Sequence, residues 1–379
     1  MDKGFKIELD KKGRLDWVIL IIVIALMLFS VGFVFSASAQ KSLIKTGEFY
    51  SYLFNHGTKV FIGICLIFIF ALIDYHIWQK YSKYILLLAI IPLILVFIIS
   101  VPVNNVYRWI DLGPIKFQPS ELAKFALIIH LSSLLAERQP VIKSFKYGML
   151  PCLIWSALIC GLIAIQPNFS NAFITYLLAL GLMFIGNINL NHLIVTGFIS
   201  SIIATIFALS ASYRMQRIIS FFGLSDNPNH IDKYNYQTQQ AILAYGNGGL
   251  NGIGPGQSRQ SNLFLPESFG DFILPIIGEE YGFIGVFLIL LAFCIILWRG
   301  LKIIRNSKDD FGYFLASGIV FTFTLYAMIN ASVSCGILPN TGVPMPFISY
   351  GGTAILIYST AIGILLNISS YSNIYPKKQ

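Results

Sequence analysis

Three groupings in this chain combine residue types that can move a proton or hold an anion. Glu121 and Lys124 stand three apart, one turn on a helix, so a carboxylate and an ammonium share a face and neutralise each other. Arg108-Trp109-Ile110-Asp111 and Gln118-Pro119-Ser120 lead into that pair, with Ser120 in the place of an N-cap. Asp271 directly precedes Phe272-Ile273-Leu274, and a carboxylate desolvated by such neighbours is raised toward the range of a general base. The plainer alternative is an Asp in a helix first turn, favoured by the dipole. The third grouping is the stretch from Pro339 to Gly352, where three prolines and three glycines interrupt an apolar region that ends in Ser349 and Tyr350.

Other motifs carry less. Glu279-Glu280 between Gly278 and Gly282 reads as a helix start or break rather than a carboxylate dyad. The glycine-rich run from Gly248 to Ser258 imitates a nucleotide loop, yet it lacks Gly-Lys-Ser/Thr, and Pro255 removes an amide that a phosphate nest would use. It is expected to be a flexible outer loop, with Arg259 beside it placed to touch a phosphate. His130 reads as a packed or interhelically bonded histidine. The five cysteines lack CxxC spacing and the five histidines are scattered singly, so neither a disulfide framework nor a protein-built zinc site is expected.

The elements that must position these groups lie in lipid. Of 379 residues 56% are hydrophobic and 11% charged, and the mean hydropathy is +0.73, outside the range of a soluble domain. The net charge of +9 comes from Lys and Arg at the ends of apolar runs, which reads as topology signals rather than a nucleic-acid surface. Spanning the hydrocarbon takes about 20 apolar residues with internally satisfied backbone. Ten such segments are expected: Trp17 to Ser38, Val60 to Leu72, Tyr84 to Val103, Glu121 to Ala136, Tyr147 to Ile165, Ala172 to Ile185, Leu190 to Ser210, Phe272 to Trp298, Phe311 to Ser332 and Phe347 to Ser369. The eighth, broken by Gly278-Glu279-Glu280, is expected to begin as a re-entrant or interfacial piece. The first is too long for the h-region of a cleaved signal peptide. The fold expected is an all-α, polytopic bundle of about ten transmembrane helices. A large extracytoplasmic loop, 211–270, joins helices 7 and 8.

Orientation follows from basic residues in short segments. Lys3, Lys6, Lys11, Lys12 and Arg14 at the N-terminus share a side with Lys80, Lys83, Arg138, Lys143, Lys146, Arg299, Lys302, Arg305, Lys308, Lys377 and Lys378. Only Lys41, Lys45, Lys59, Arg108 and Lys116 fall in the opposite short loops. Both termini, 1–16 and 371–379, are therefore expected to be cytoplasmic tails of one membrane domain, 1–379. The long outer loop holds Arg214, Arg217, Lys233, the turn Ser225-Asp226-Asn227-Pro228 and a short helix from Tyr236 to Ala244. A loop of that length is seldom idle. Ionisable residues at membrane depth are costly unless paired or hydrated. Non-helical backbone there is tolerated only when buried in protein or lining a wet cavity. The Pro339 to Gly352 stretch thus implies a cavity at the outer face, with Ser349 and Tyr350 either lining it or satisfying freed backbone groups.

Several motifs, in order, resemble those of the SEDS family, the shape, elongation, division and sporulation proteins. They are Arg108-Trp109-Ile110, Gln118-Pro119-Ser120-Glu121-Leu122-Ala123-Lys124, Leu265-Pro266-Glu267 leading to Asp271-Phe272, Gly278-Glu279-Glu280-Tyr281-Gly282, and Pro346-Phe347-Ile348-Ser349-Tyr350-Gly351-Gly352. The resemblance covers nearly the whole chain. It implies a peptidoglycan glycosyltransferase that polymerises lipid II at the outer face of the bacterial cytoplasmic (inner) membrane. The implied partners are a class B penicillin-binding transpeptidase and other divisome or elongasome membrane proteins. By the same resemblance Asp271 is the essential aspartate, acting as base or helping hold a divalent cation, Mg2+ or Mn2+, that is not tightly bound. Arg108, Glu121, Lys124, Arg259, Ser349 and Tyr350 would contact substrate. The family commonly has His-Thr before this aspartate, where this chain has Phe269-Gly270, so any role of that pair is absent or replaced.

Within the family, Tyr213-Arg214-Met215-Gln216-Arg217 and Gln166-Pro167-Asn168-Phe169-Ser170 look more like the division branch, FtsW. Gly342-Val343-Pro344-Met345-Pro346 is closer to the elongation branch, RodA. The division branch is favoured. A flippase for the lipid-linked precursor and a non-catalytic scaffold for the transpeptidase are the competing readings. A flippase needs polar groups continuing into the cytoplasmic half, whereas the candidates here crowd the outer half.

Overall fold

The computed structural model describes residues 13–99, 108–111, 116–210, 233–266 and 268–371, with isolated residues between 215 and 222. Expectations on the outermost tails, on Leu112-Gly113, on Tyr213, Arg214, Gln216 and Arg217, on Ser225 to Pro228 and on Glu267 lie outside the described residues.

Helices dominate, in chain order α1 (Trp17–Thr46), α2 (Ser51–Leu72), α3 (His76–Ile99), α4 (Pro119–Glu137), α5 (Leu150–Ile165), α6 (Phe169–Ile185), α7 (Leu190–Leu209), α8 (Lys233–Gly248), α9 (Ile273–Arg305), α10 (Asp310–Ser334) and α11 (Ala354–Tyr371). Among the described residues nine helical stretches are long and apolar enough to cross a membrane, α5 counting with the turn before it. The shorter apolar α6 completes the ten expected segments. The chain is therefore an all-α, multi-pass membrane protein. The amphipathic α8 lies in the long connection between α7 and α9, on the stretch read as a short helix.

Packing in lipid rests on close backbone approach and interhelical hydrogen bonds rather than on hydrophobic collapse. Helices α2 and α11 show both devices. A Cβ on Gly63 would lie 2.7 Å from Ser359 Oγ, and one on Gly363 would lie 2.7 Å from the Ile67 carbonyl. At the far end of the same pair, Asn367 donates to the Ala71 carbonyl at 2.8 Å and accepts from the Tyr75 amide at 2.9 Å. The Gly13 amide bonds the Ser370 carbonyl at 2.7 Å, so both ends of the described chain sit at one end of the bundle. There Asp16 caps α1 and pairs with Arg299 at 2.6 Å.

Several expected boundaries shift, each for a local reason. Helix α2 starts at Ser51 rather than Val60, because His56 and Lys59 in its first turns face protein while Phe54 and Phe61 face outward. Lys59, read as a loop residue, is thereby inside the helix. The last span starts at Ala354 rather than Phe347; Phe347 has a left-handed φ of 64°, and the prolines and glycines around it hold the chain off the helical path. Helix α9 runs on from Ile273 but breaks at Gly282, φ 68° and ψ −166°, the break expected of that motif.

The glycine-rich run is not a free loop. The amides of Ile253 and Gly254 donate to the carbonyls of Glu279 and Glu280, both at 3.0 Å, and Phe283 donates back to Gly249 at 2.9 Å. A Cβ on Gly248 would stand 1.9 Å from the Gly278 carbonyl. The glycines are there because two backbones touch, and the run docks on the broken helix instead of moving freely.

Candidate functional site

At the end of the bundle away from the chain ends, Asp271 sits part-buried just before α9. It is not in the helix first turn, so the dipole alternative does not apply. Its backbone is held from below: Asn330 of α10 donates from one amide nitrogen to the carbonyls of both Asp271 and Val343, each at 2.7 Å. The preceding turn is fixed by α1, where Lys41 donates to the carbonyls of Leu265 and Pro266, and Ser268 donates to the Ala37 carbonyl at 3.0 Å. Across from the carboxylate lies Gly342, φ 67°, where even a Cβ would come within 3.3 Å of Asp271 Oδ2. Glycine there leaves space beside the carboxylate.

The loop between α10 and α11 forms the other wall. The Ser349 hydroxyl accepts from the Met345 amide at 2.8 Å; the prolines leave that turn short of helical partners, and the serine supplies one. This is the second of the two roles read for it. Tyr350 is bound to the Asp271 turn through its amide, which donates to the Phe269 carbonyl at 2.8 Å. Its ring packs against Tyr52 and Phe269, with centroids 5.3 and 5.5 Å away, and burial pushes its phenol up to about 12. Phe269 thus fills this aromatic wall. The short hairpin of β1 (Ile110–Asp111) and β2 (Lys116–Phe117) abuts the same loop: Gln118 donates to Thr353 Oγ1 at 3.0 Å.

Glu121 and Lys124 form the expected pair, at 2.6 Å, but deep in the protein at 3% and 1% exposure. Lys124 Nζ also donates to the Tyr326 hydroxyl at 2.7 Å, Tyr326 donates to Asn171 Oδ1 at 2.6 Å, and Asn171 Nδ2 donates to Glu121 Oε1 at 3.2 Å. The Tyr358 hydroxyl donates to Glu121 Oε2 at 2.9 Å. The ring closes on itself across α4, α6, α10 and α11. Gln118, not Ser120, is the N-cap residue of α4, and Ser120 accepts from Asn171 at 3.3 Å. Arg108 donates to the Pro167 carbonyl. Arg259 is exposed at the head of a π turn, while its neighbours Ser258 and Gln260 bind Glu279. The structure therefore unites Asp271 with Tyr350 and Gly342, and keeps Glu121 with Lys124 in a separate interior network. His130 bonds Ser82 of α3 at 3.3 Å and packs edge-on to Trp155, as expected of an interhelical histidine.

Reading ionisable residues alone missed Asn171, Tyr326, Tyr358 and Asn330. All four are polar groups inside apolar helices, and that is a signal in itself.

Ten apolar helices among the described residues, a part-buried carboxylate on a turn bonded to an aromatic cluster and a buried ion pair define a polytopic membrane protein with a candidate site at one end of its bundle. Residues 16–374 match the model of the FtsW, RodA and SpoVE cell cycle proteins, and the chain belongs to that family. It is 34% identical over 372 residues to a probable peptidoglycan glycosyltransferase FtsW of Geobacter metallireducens, covering 98% of each chain. It is 36% identical over 362 residues to the stage V sporulation protein E of Bacillus subtilis, covering 93% of this chain and 97% of that one. Among solved structures it is similar in fold to a chain of a peptidoglycan synthase complex, with a TM-score of 0.76 at 22% identity, covering 94% of this chain and 97% of that one. The rod shape determining protein RodA of Thermus thermophilus has a TM-score of 0.69 at 21% identity, covering 96% and 98%.

Proposed function

We propose that this chain is a peptidoglycan glycosyltransferase that polymerises lipid II in cell division. It works at the outer face of the bacterial cytoplasmic membrane beside a class B penicillin-binding transpeptidase. The observation that carries the reading is the setting of Asp271, part-buried and fixed through its backbone by Asn330, with space beside the carboxylate at Gly342. The full-length similarity to relatives named for this activity supports it. Asp271 lies at the opposite end of the bundle from Gly13 and Ser370, so with basic termini in the cytoplasm it faces outward.

In the reaction, the acceptor sugar hydroxyl attacks the anomeric carbon of the donor as the bond to the lipid pyrophosphate breaks. The hydroxyl proton passes to the Asp271 carboxylate, and the electron pair leaves on the pyrophosphate oxygen. No group of three metal-ligating side chains stands together among the described residues. A divalent cation would therefore be held by Asp271 and the substrate's own phosphate oxygens, a mode that suits Mg2+ or Mn2+. Bound there it would neutralise charge on the leaving pyrophosphate.

Polymerisation of lipid II by the purified protein with its cognate transpeptidase tests the reading, wild type against Asp271→Ala, with and without divalent cation. Glycan strands from wild type alone are expected. Full activity in the variant would overturn the assigned mechanism. Transport of lipid II without polymer by a folded wild-type complex would overturn the polymerase in favour of a flippase.

A further inference from the structure

Among the described residues two lysines are buried inside helices, Lys59 and Lys124, and an anion is described beside Lys124 alone. Lys59 lies eight residues into α2, about 12 Å along the helix from its start, and is 6% exposed. No carboxylate stands within salt-bridge distance of its ammonium among the described residues. Its neighbour is the ring of Tyr350, with Nζ 4.9 Å from the centroid. One turn away, His56 shares a hydrogen bond with Ser30 at 2.9 Å and packs on the same ring, so it brings no negative charge. An aromatic face attracts a cation but does not replace its hydration shell. A helix that keeps a lysine there keeps it for an anion that arrives from outside.

We propose that Lys59, seated on Tyr350, is the subsite for a phosphate ester borne by a lipid, and that this lipid is the pyrophosphate-linked substrate. Tyr350 couples the subsite to the reacting end, since its amide is bonded to Phe269, two residues before Asp271. Lys124 is not available for the task, because its protons are directed to Glu121 and Tyr326. The headgroup of an anionic phospholipid offers the same chemistry, and the test separates the two. The inference rests on the polymerase reading for the identity of the lipid.

The protein is placed in phosphatidylcholine nanodiscs and its affinity for undecaprenyl pyrophosphate is measured, with phosphatidylglycerol as competitor. Lys59→Met is expected to bind about tenfold more weakly, the loss of one charge-assisted contact. Lys59→Arg should stay within about threefold, since the charge is kept. Without ligand, Lys59→Met should melt at a higher temperature than wild type, because an uncompensated charge has been removed from the interior. Unchanged affinity in Lys59→Met, or a lower melting temperature with unchanged affinity, would overturn the subsite. Competition by phosphatidylglycerol on equal terms would assign it to headgroups and overturn the substrate assignment. Binding requires no turnover, so a protein that binds through Lys59 yet makes no glycan sinks the polymerase reading alone. One that polymerises with an unchanged KM in Lys59→Met sinks this inference alone.

Discussion

Lys124 and Lys59 are both lysines inside a membrane bundle, and they are treated in opposite ways. Around Lys124 the protein closes a ring of hydrogen bonds through Glu121, Asn171, Tyr326 and Tyr358. Around Lys59 it supplies the face of Tyr350 and, among the described residues, no carboxylate within ion-pair distance. The first arrangement ties four helices together. The second leaves charge unspent beside the turn that carries Asp271. Buried charge with a partner belongs to the fold, whereas buried charge without one belongs to a ligand.

That division can be broken by substitution, and the largest expected effect lies on the open side. Asp271→Ala should lower polymerisation about a thousandfold, the scale of losing a general base, while its melting temperature stays near that of wild type. A melting curve measured beside the activity assay checks both halves. On the closed side Lys124→Met should cost about 3 kcal/mol of stability, because Glu121 is left as an unpaired buried charge. Chemical denaturation in detergent would show it, and adding Glu121→Leu should return part of the loss; no recovery in the double variant would deny that the two act as a unit. Gly282→Ala should cost about 2 kcal/mol: its φ of 68° is strained for alanine, and the new Cβ would lie 2.3 Å from the Leu250 carbonyl. Protease cutting within residues 249–256 would report the released loop. The smallest effect sharpens the Lys59 side. Tyr350→Leu should weaken lipid pyrophosphate binding by about 1 kcal/mol, the value of a cation–π contact, with Tyr350→Phe near wild type, and equal affinities for the two would remove the ring from the subsite.

How much of this could be read beforehand depended on which physical signal each residue carries. Apolar runs of membrane length mark spans whatever they pack against, so the ten segments and the pairing of Glu121 with Lys124 were visible. Asp271 stood out because an acid directly before Phe272-Ile273-Leu274 is costly. Partners brought in from distant helices were hidden: nothing local to Glu121 points to Tyr358, which lies in the last helix. Lys59 was misplaced because hydropathy discounts a polar helical face that packs on protein. Its spacing did carry the answer, since Tyr52, His56, Lys59 and Gly63 recur at three and four residues and turn the same way in α2. The docking of the glycine run was hidden for a similar reason, because contact between two backbones leaves glycines in both segments and no side-chain pattern.

The most direct test of the contrast is a thermal melt of wild type, Lys59→Met and Lys124→Met, each with and without undecaprenyl pyrophosphate. The ligand is expected to raise the melting temperature of wild type and of Lys124→Met, whose starting point is lower, by similar amounts, and that of Lys59→Met by clearly less at the same concentration. A ligand shift that is undiminished in Lys59→Met and vanishes in Lys124→Met would show that the interior pair, not the open lysine, holds the phosphate.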